Sequence, residues 1–286
     1  MHFPCYTGGV NRDANLENGA KDRQAEAFNK RYSAADDYLE FLDTDDVARV
    51  RLRDQLITKA LDRLFEHVPS SPKDWSVLIV CGGVGKEASQ LRRAGFFDVT
   101  NTDFSPAAVE ISMQREPTLK HRRLDAENID LPDESIDLVL VQAGLHHLPR
   151  PVTGFNEMVR VARKAVIVIE PHSGLITRAL GQEFEEEEGE INYVFRWDHE
   201  LLEQATKSQI LERSVHVETL RALFHAKVYT TLERVLGGDQ ARILRGMKVF
   251  DATAGRVLGP MGNSFIGLVV KDPHEPFVGT ASADKN

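Results

Sequence analysis

The closely spaced glycines Gly82, Gly83 and Gly85 are the first sign of ligand chemistry in this chain. They follow a short apolar, β-branched run at residues 77–80 and precede residues 86–94, where alanine and leucine recur at helical spacing. Glycine lets the backbone turn tightly and lets a ligand approach without meeting a Cβ atom, and a helix start offers free N–H groups. The stretch predicts a nucleotide-binding turn, although a plain strand-to-helix turn also uses glycine.

The elements around this turn alternate between strand and helix patterns. Ser105 followed by Pro106 is a specific helix start, because serine caps a helix and proline fits its first position. The alternation predicts an α/β fold with a Rossmann-like, doubly wound, mostly parallel sheet and helices on both faces. Its strands are predicted at residues 77–80, 98–103, 121–124, 136–141, 165–170 and 264–270.

Acids and histidines stand where these predicted strands end. Ligands of open parallel sheets bind beyond the carboxyl ends of the strands, so these side chains should gather at one rim. A histidine at such a rim can exchange protons near neutral pH. The rim set comprises residues 82–85, Asp103, Asp125, residues 142–147 (which include Gln142, His146 and His147), and residues 170–172 (which include Glu170 and His172).

The composition is that of an acidic globular protein. Lysine and arginine number 35 and aspartate and glutamate 44, so the net charge is −9, which argues against general binding to nucleic acid or anionic membranes. Two cysteines form no disulfide framework, and no CxxC or histidine-rich cluster predicts a metal site. No apolar run approaches the roughly 20 residues of a membrane span, and no signal peptide is visible. We therefore expect a cytoplasmic protein, either a monomer or a homodimer.

The irregular patterns lie outside the predicted core. The run from Phe184 to Gly189 contains four glutamates and predicts a solvated loop, with a cation-attracting lid as the alternative. The predicted organisation is a disordered arm (1–20), an N-terminal helical cap (21–72), the ligand-binding core (73–174), a substrate or cap segment (175–258), the last core strand (259–272) and a disordered tail (273–286).

Over about residues 75–171 and the last strand, the chain resembles the class I S-adenosylmethionine-dependent methyltransferases, in particular the small-molecule, methyltransferase type 11-like branch. The order and spacing of several modest motifs carry this resemblance. It implies S-adenosyl-L-methionine as cofactor, a small-molecule acceptor and an antiparallel last strand. The motifs are VLIVCGGVG (77–85), TDFSP (102–106), LDAE (124–127), LPDESIDLV (131–139), LHHLP (145–149) and EMVRV (157–161).

The resemblance also implies roles for individual residues. Asp103 would accept hydrogen bonds from both ribose hydroxyls, and Phe104 would pack on the adenine. Asp125 would meet the adenine amino group, with Ala126 giving a backbone contact. The alternative is that neither residue binds a ligand: Asp103 would then only cap the helix that starts at Ser105, and Asp125 would only be a turn residue. The further cofactor contacts implied are Tyr32, Cys81, the three glycines and Gln142.

Two positions depart from the family pattern. Ile79 stands where the family usually has an acid that helps to hold the ligand's ammonium group, and Cys81 stands where it usually has glycine. Arg31 and Tyr32, in the first predicted helix, are expected to cover the methionine end instead.

By resemblance to natural-product sugar O-methyltransferases, one of His146 and His147 would be a general base and Glu170 would orient it. The alternative is that both histidines only pack and support the backbone after the fourth strand. Acceptor contacts are predicted at His172, Arg196 and Trp197, in or near the irregular segment.

Other functions remain open on the sequence. The residues from Gly83 to Ala88 also fit G-x-G-x-x-A, the fingerprint of an NAD-dependent oxidoreductase. A methyltransferase-like domain that binds ligand without catalysis is another possibility, because of Ile79 and Cys81. A nucleic-acid methyltransferase is disfavoured by the net charge and by the absence of an Asn/Asp-Pro-Pro-Tyr/Phe type motif.

Overall fold

The computed structural model describes residues 14–33, 47–68, 71–173, 183–187, 190–210, 213–222, 232–239, 241–246, 249, 253 and 264–276. Its helices are α1 (Ala14–Ser33), α2 (Val47–His67), α3 (Lys86–Arg93), α4 (Pro106–Arg115), α5 (Pro151–Val161) and α6 (His199–Lys207), with 3-10 turns at Pro72–Asp74 and Leu145–His147. Its strands are β1 (Ser76–Ile79), β2 (Asp98–Asp103), β3 (Lys120–Arg123), β4 (Ile136–Gln142), β5 (Ala162–Pro171), β6 (Phe184–Glu187), β7 (Glu190–Tyr193), β8 (Arg213–Ala222) and β9 (Ser264–Pro276). No helix among these residues is long and apolar enough to span a bilayer.

Seven strands form one sheet in the order β3-β2-β1-β4-β5-β9-β8. Neighbouring strands from β3 to β5 are parallel, whereas β9 is antiparallel to both β5 and β8. The predicted doubly wound sheet and its antiparallel last strand are thereby confirmed. The carboxyl ends of β1, β2 and β4 consequently meet at one rim.

The core occupies both faces of this sheet because successive strand residues point to opposite sides. In β4, Leu138 and Leu140 join the apolar cluster under α2 and α3, and Val139 and Val141 join the cluster under α5. Trp75 is the largest side chain of the first cluster and is fully buried. Two buried layers hold the strand ends, and therefore the rim, in fixed positions.

Three boundaries differ from the sequence prediction. Helix α1 begins at Ala14, so residues 14–20 are helical and not part of an arm. Residues 184–187 of the acidic run are not a loop, because they form β6, which pairs antiparallel with β7. Strand β9 continues beyond residue 273 to Pro276, and residues 1–13 and 277–286 lie outside the described residues.

The contacts of Asp137, which is buried at the start of β4, allow a prediction of how the free energy of unfolding depends on pH. Its carboxylate accepts hydrogen bonds from the Ser76 backbone N–H at 3.0 Å and from Arg163 Nη2 at 2.7 Å, and Lys164 Nζ lies 3.0 Å away. Burial raises the pKa of Asp137, but the hydrogen bonds and cations outweigh it and leave the pKa below the ordinary value. The folded state therefore binds this proton less readily than the unfolded chain does.

Asp137 should therefore stabilise the fold fully above the ordinary aspartate pKa near 3.8, and this contribution should be lost as the pH falls through the lower folded value. Asp137→Asn should lower the free energy of unfolding at pH 7 by about 1–3 kcal/mol, because the donors around this buried carboxylate lose a charged acceptor. Urea unfolding between pH 7 and pH 2 measures both effects. Asp98→Asn, which removes an exposed ion pair with Lys120, should cost less than about 1 kcal/mol; equal losses would contradict the prediction.

Candidate active site

The glycine turn after β1 is held from behind by two polar side chains. Asn101 donates its Nδ2 hydrogens to the Gly83 carbonyl at 3.1 Å and to Ser112 Oγ at 3.0 Å. A Cβ atom on Gly82 would lie 2.1 Å from Asn101 Oδ1, and one on Gly85 would lie 2.4 Å from Ser112 Oγ. Larger residues at these two positions would push the turn off its support, so glycine is required there.

Asp103, at the end of β2, is fixed by the same turn. Its Oδ2 accepts a hydrogen bond from the Gly83 N–H at 2.9 Å, and its Oδ1 accepts one from the Ser105 N–H at 2.9 Å. Burial raises the pKa of Asp103 more than these backbone hydrogen bonds lower it. The carboxylate is only partly exposed, and the backbone N–H group of Phe104 also donates to it.

Asp125, after β3, is paired with a residue that the sequence analysis did not predict. Lys21 of α1 places its Nζ 2.7 Å from Asp125 Oδ2 and 2.8 Å from Glu127 Oε2. Glu127 is fully buried and also accepts the Arg150 guanidinium at 2.9 Å. The predicted adenine acceptor is therefore oriented by a lysine that reaches it from the N-terminal helix.

Helix α1 crosses the whole rim. Asn29 Oδ1 lies 2.5 Å from Ser105 Oγ, at the start of α4, and the Tyr32 hydroxyl would meet a Cβ atom on Gly83 at 3.0 Å. The Phe28 ring meets the His147 ring edge-on, with centroids 5.3 Å apart. Tyr32 therefore lies at the glycine turn, whereas the side chain of Arg31 is outside the described residues.

Glu170, at the end of β5, organises the segment after β4. Its Oε1 accepts the N–H groups of Gly144 and Leu145, both at 2.8 Å, and its Oε2 lies 2.6 Å from His146 Nδ1. Because a carboxylate only accepts hydrogen bonds, His146 Nδ1 carries the proton in this pair and Nε2 is left as the basic nitrogen of the neutral ring. The structure brings Glu170 to His146, and places His147 between His146 and Phe28.

The remaining predicted site residues divide into rim and interior. The Arg123 guanidinium lies over the Phe104 ring, 4.8 Å from the centroid of that ring. Ala126, which follows β3, and Gln142, at the end of β4, are buried. Arg196 is half-buried and donates to the Val194 carbonyl.

Trp197, which the sequence predicts as an acceptor contact, lies in the core. Its side chain is fully buried against Phe155 and Phe195, because its backbone N–H donates to the Pro171 carbonyl and draws it onto the core. His172 is also buried and stacks on Phe265. Both side chains therefore support the end of β5 from beneath.

The residues that the sequence analysis missed are the supports of the site. Asn101 left a signal, since a polar amide inside a central strand has to find buried partners. Lys21 and Asn29 left none, because their partners lie 104 and 76 residues away along the chain.

Cys81 adopts a backbone conformation that explains the family's glycine. Its φ is +52°, in the left-handed region, and a Cβ atom on Gly144 would lie 2.4 Å from the Cys81 Cβ. Burial raises the pKa of the Cys81 thiol well above its ordinary value, with nearby acids adding to the shift. The thiol is therefore protonated at neutral pH and fills space beside the turn.

Because the backbone at Cys81 is strained, a glycine at this position should give a more stable protein than an alanine, which reverses the usual order of stability. Alanine normally stabilises a protein relative to glycine, but at positive φ a Cβ atom costs on the order of 1 kcal/mol. We expect Cys81→Gly to exceed Cys81→Ala in free energy of unfolding by about 1 kcal/mol, measured by urea denaturation. Ala88, on α3 with ordinary helical backbone, is the control: Ala88→Gly should destabilise. A more stable Cys81→Ala would show that the turn carries no strain.

Comparison with known proteins finds a family that matches part of this chain. Residues 78–169 match a family described as a methyltransferase domain. These residues run from β1 to the end of β5 and include the glycine turn, Asp103, Asp125 and His146. Residues 78–169 are therefore similar to a methyltransferase domain, and the fold is one that S-adenosylmethionine-dependent methyltransferases share.

Two curated relatives each match about a third of the chain. The chain is 31% identical over 91 residues to the eEF1A lysine and N-terminal methyltransferase homolog of Drosophila melanogaster, covering 30% of this chain and 13% of that protein. It is 30% identical over 87 residues to the demethylmenaquinone methyltransferase of Paenarthrobacter aurescens, covering 30% of this chain and 34% of that protein. The match thus spans about a third or less of each relative.

Solved structures share the fold over most of the chain. One is a chain of the complex between the Haloferax volcanii Trm112 methyltransferase activator and a putative methyltransferase, with 13% identity, 88% and 98% of the two chains covered and a TM-score of 0.54. Another is a methyltransferase of Thermotoga maritima described as a possible histamine N-methyltransferase, with 15% identity, 86% and 98% coverage and a TM-score of 0.51. At these identities the likeness concerns the fold.

Proposed function

We propose that this protein is an S-adenosyl-L-methionine-dependent methyltransferase that moves a methyl group to an oxygen, nitrogen or carbon atom of a small molecule, a natural-product or metabolic intermediate. The observation that carries the proposal is the arrangement of Asp103 and Asp125 around the glycine turn. Asp103 is fixed by the Gly83 N–H, and Asp125 is held within reach of the same rim by Lys21. These are the positions from which carboxylates would meet ribose hydroxyls and an adenine amino group.

The residues present fit the cofactor. The turn at Gly82, Gly83 and Gly85 exposes backbone without Cβ atoms, and the Asp103 carboxylate beside it would accept from the ribose hydroxyls. Phe104 offers an aromatic ring, with Arg123 on one of its faces. Tyr32 brings a hydroxyl to the turn, where Ile79 has replaced the usual acid and is fully buried. When bound, the cofactor supplies an electrophilic methyl group that needs little further activation.

The work left to the protein is alignment and proton removal. Alignment supplies much of the rate of an in-line displacement, and the rigid sheet rim serves that purpose. Where the acceptor is a hydroxyl or a protonated amine, His146 would remove its proton through Nε2. Glu170 would keep the ring in that tautomer and stabilise its charged form. His147, packed on Phe28, is the alternative base.

The proposed class of methyl acceptor is argued from the net charge of the chain and not from the names of its relatives. The names of the two curated relatives point to a protein lysine or N-terminus and to a quinone precursor, so they do not agree on an acceptor. The net charge of −9 opposes a nucleic-acid acceptor. With a nucleic acid disfavoured, a small molecule is the acceptor that we propose.

An oxidoreductase is the function that the sheet disfavours. The dinucleotide-binding sheet runs 3-2-1-4-5-6, whereas here β9 lies antiparallel between β5 and β8. Calorimetric titration with S-adenosylhomocysteine and, separately, NAD tests the choice. We expect micromolar binding of S-adenosylhomocysteine and none of NAD. Binding of NAD alone would overturn the proposal, and binding of neither would indicate a domain that has lost its cofactor.

A further inference from the structure

We infer that His67, His216 and Glu218 form a binding site for a divalent transition metal ion such as Zn²⁺, which ties α2 to the edge strand β8. One ligand atom from each of these residues lies within 4.8 Å of the other two. His67 Nε2 is 3.0 Å and His216 Nε2 is 3.7 Å from Glu218 Oε2. Tetrahedral zinc with bonds of about 2.0–2.1 Å requires ligand atoms roughly 3.3 Å apart, which is close to both distances.

The local structure explains why these three side chains converge. His216 and Glu218 are two residues apart on β8 and therefore point to the same face of the sheet. His67 lies in the last turn of α2, whose apolar side packs on that face through Leu61 and Leu64. The two imidazole rings lie 4.1 Å apart, centroid to centroid. Small rotations of exposed side chains are enough to close a three-ligand shell, which leaves one position for water.

Arg63 acts as an outer partner of this cluster. It lies one helical turn before His67 and donates to Glu218 Oε1, with its Nε at 3.0 Å, while Oε2 faces the histidines. Carboxylates that bind metals are commonly oriented in this way by a second hydrogen bond. The guanidinium also adds a positive charge near the cation, so we expect micromolar and not nanomolar affinity.

The ligand types decide which cation fits. Two imidazole nitrogens and one carboxylate suit zinc, nickel, cobalt or copper, whereas calcium and magnesium prefer shells made of oxygen atoms. All three residues are at least partly exposed, with 28%, 51% and 18% of the side chains of His67, His216 and Glu218 accessible. An ion can therefore enter without unfolding of the domain.

The cluster is separate from the cofactor rim. His216 pairs with Val270, which pairs with Ala165 near the start of β5, whereas Glu170 marks the rim at the other end of that strand. A metal ion here would not meet the substrate. Its effect would be structural, because it would connect a helix that precedes the sheet to the outermost strand.

Titration of the purified chain with Zn²⁺, after removal of adventitious metal with a chelator, tests the site. We expect one equivalent to bind, the thermal midpoint to rise, and EDTA to reverse the rise. Co²⁺ should give the visible absorption of a four-coordinate site. His67→Ala and His216→Ala should each weaken binding by at least about tenfold and abolish the rise.

His199→Ala is the matched control, because His199 is also an exposed histidine beside one glutamate, with 4.0 Å between Nε2 and Glu203. It should bind Zn²⁺ like the wild type. All four proteins should bind S-adenosylhomocysteine equally, so the result does not depend on the proposed function. Unchanged Zn²⁺ binding in His67→Ala and His216→Ala, or equally weakened Zn²⁺ binding in His199→Ala, would overturn the proposed site. The cluster would then be an ordinary surface ion pair.

Discussion

Replacing Glu170 by glutamine is expected to invert the tautomer of His146 and, with it, to remove the proposed base. The glutamine oxygen can still accept the Gly144 and Leu145 N–H groups, as Oε1 does now. Its amide nitrogen would then face His146 Nδ1, which is now 2.6 Å from Oε2. Two donors cannot share that contact, so the ring must move its proton to Nε2 and turn Nδ1 into an acceptor.

This change should appear in three measurements. The ring ¹⁵N chemical shifts of His146 report the tautomer and need no acceptor molecule. The free energy of unfolding should fall by about 1–3 kcal/mol, because the His146 backbone N–H, which now donates to Oε2 at 3.4 Å, would face the amide nitrogen and lose its acceptor. Turnover with an acceptor that loses a proton should fall by about 10²–10⁴-fold.

His147→Phe is the control for Glu170→Gln. It keeps a ring against Phe28 and leaves the Glu170 contacts in place. The shifts of His146 should stay those of the wild type, and turnover should fall much less. If His147→Phe abolishes turnover while Glu170→Gln does not, the base is His147 and Glu170 only supports the backbone.

The second large effect is expected for Asp103→Ala, which should weaken S-adenosylhomocysteine binding by at least about 100-fold. Two charge-assisted hydrogen bonds to ribose are worth roughly 1.5–3 kcal/mol each, and 2.8 kcal/mol corresponds to a factor of about 100. The Gly83 and Ser105 N–H groups would also lose their acceptor, which loosens the turn. Calorimetric titration measures the loss.

Asp98→Ala separates this effect from general damage to β2. Asp98 is at the opposite end of the same strand, half exposed and paired with Lys120. Its replacement should leave the affinity within about twofold of the wild type. Equal affinities of the Asp103→Ala protein and the wild type would place the ribose elsewhere.

The raised pKa of Asp103 predicts the direction in which the free energy of unfolding changes with pH, and this direction can be measured without ligand. Because its folded pKa is raised, proton uptake at Asp103 favours the folded state. Its contribution to the free energy of unfolding is present at low pH and is lost as the pH rises through the folded value. Asp103→Ala should therefore flatten this part of the pH profile, in the opposite direction from Asp137→Asn.

The fold was predictable because its signals are local and periodic. The alternation of β-branched runs with helical spacing fixes the strands of the sheet, and Ser105-Pro106 fixes a helix start to the residue. The loop predicted for the acidic run differs from the observed strand β6 because glutamates have little preference for strands. Only the pairing with β7 decides the structure of this segment.

The site was predictable at strand ends and not between elements. Glu170 and His146 follow the neighbouring parallel strands β5 and β4 at the same edge of the sheet, so their contact follows from topology. The Lys21–Asp125 ion pair joins residues that no pattern relates. The burial of Trp197 depends on how a later segment lies on β5, which composition does not reveal.

The position of β9 has a consequence for synthesis of the chain. Strand β5 ends at Pro171, but the strand that covers its free edge begins at Ser264. At about 5–20 residues per second, a ribosome needs roughly 5–20 s to supply the intervening residues. During that interval the apolar β5 edge is an open template for other strands. A nascent chain of this protein should therefore depend on chaperones between these two points, and slow translation of that interval should increase aggregation.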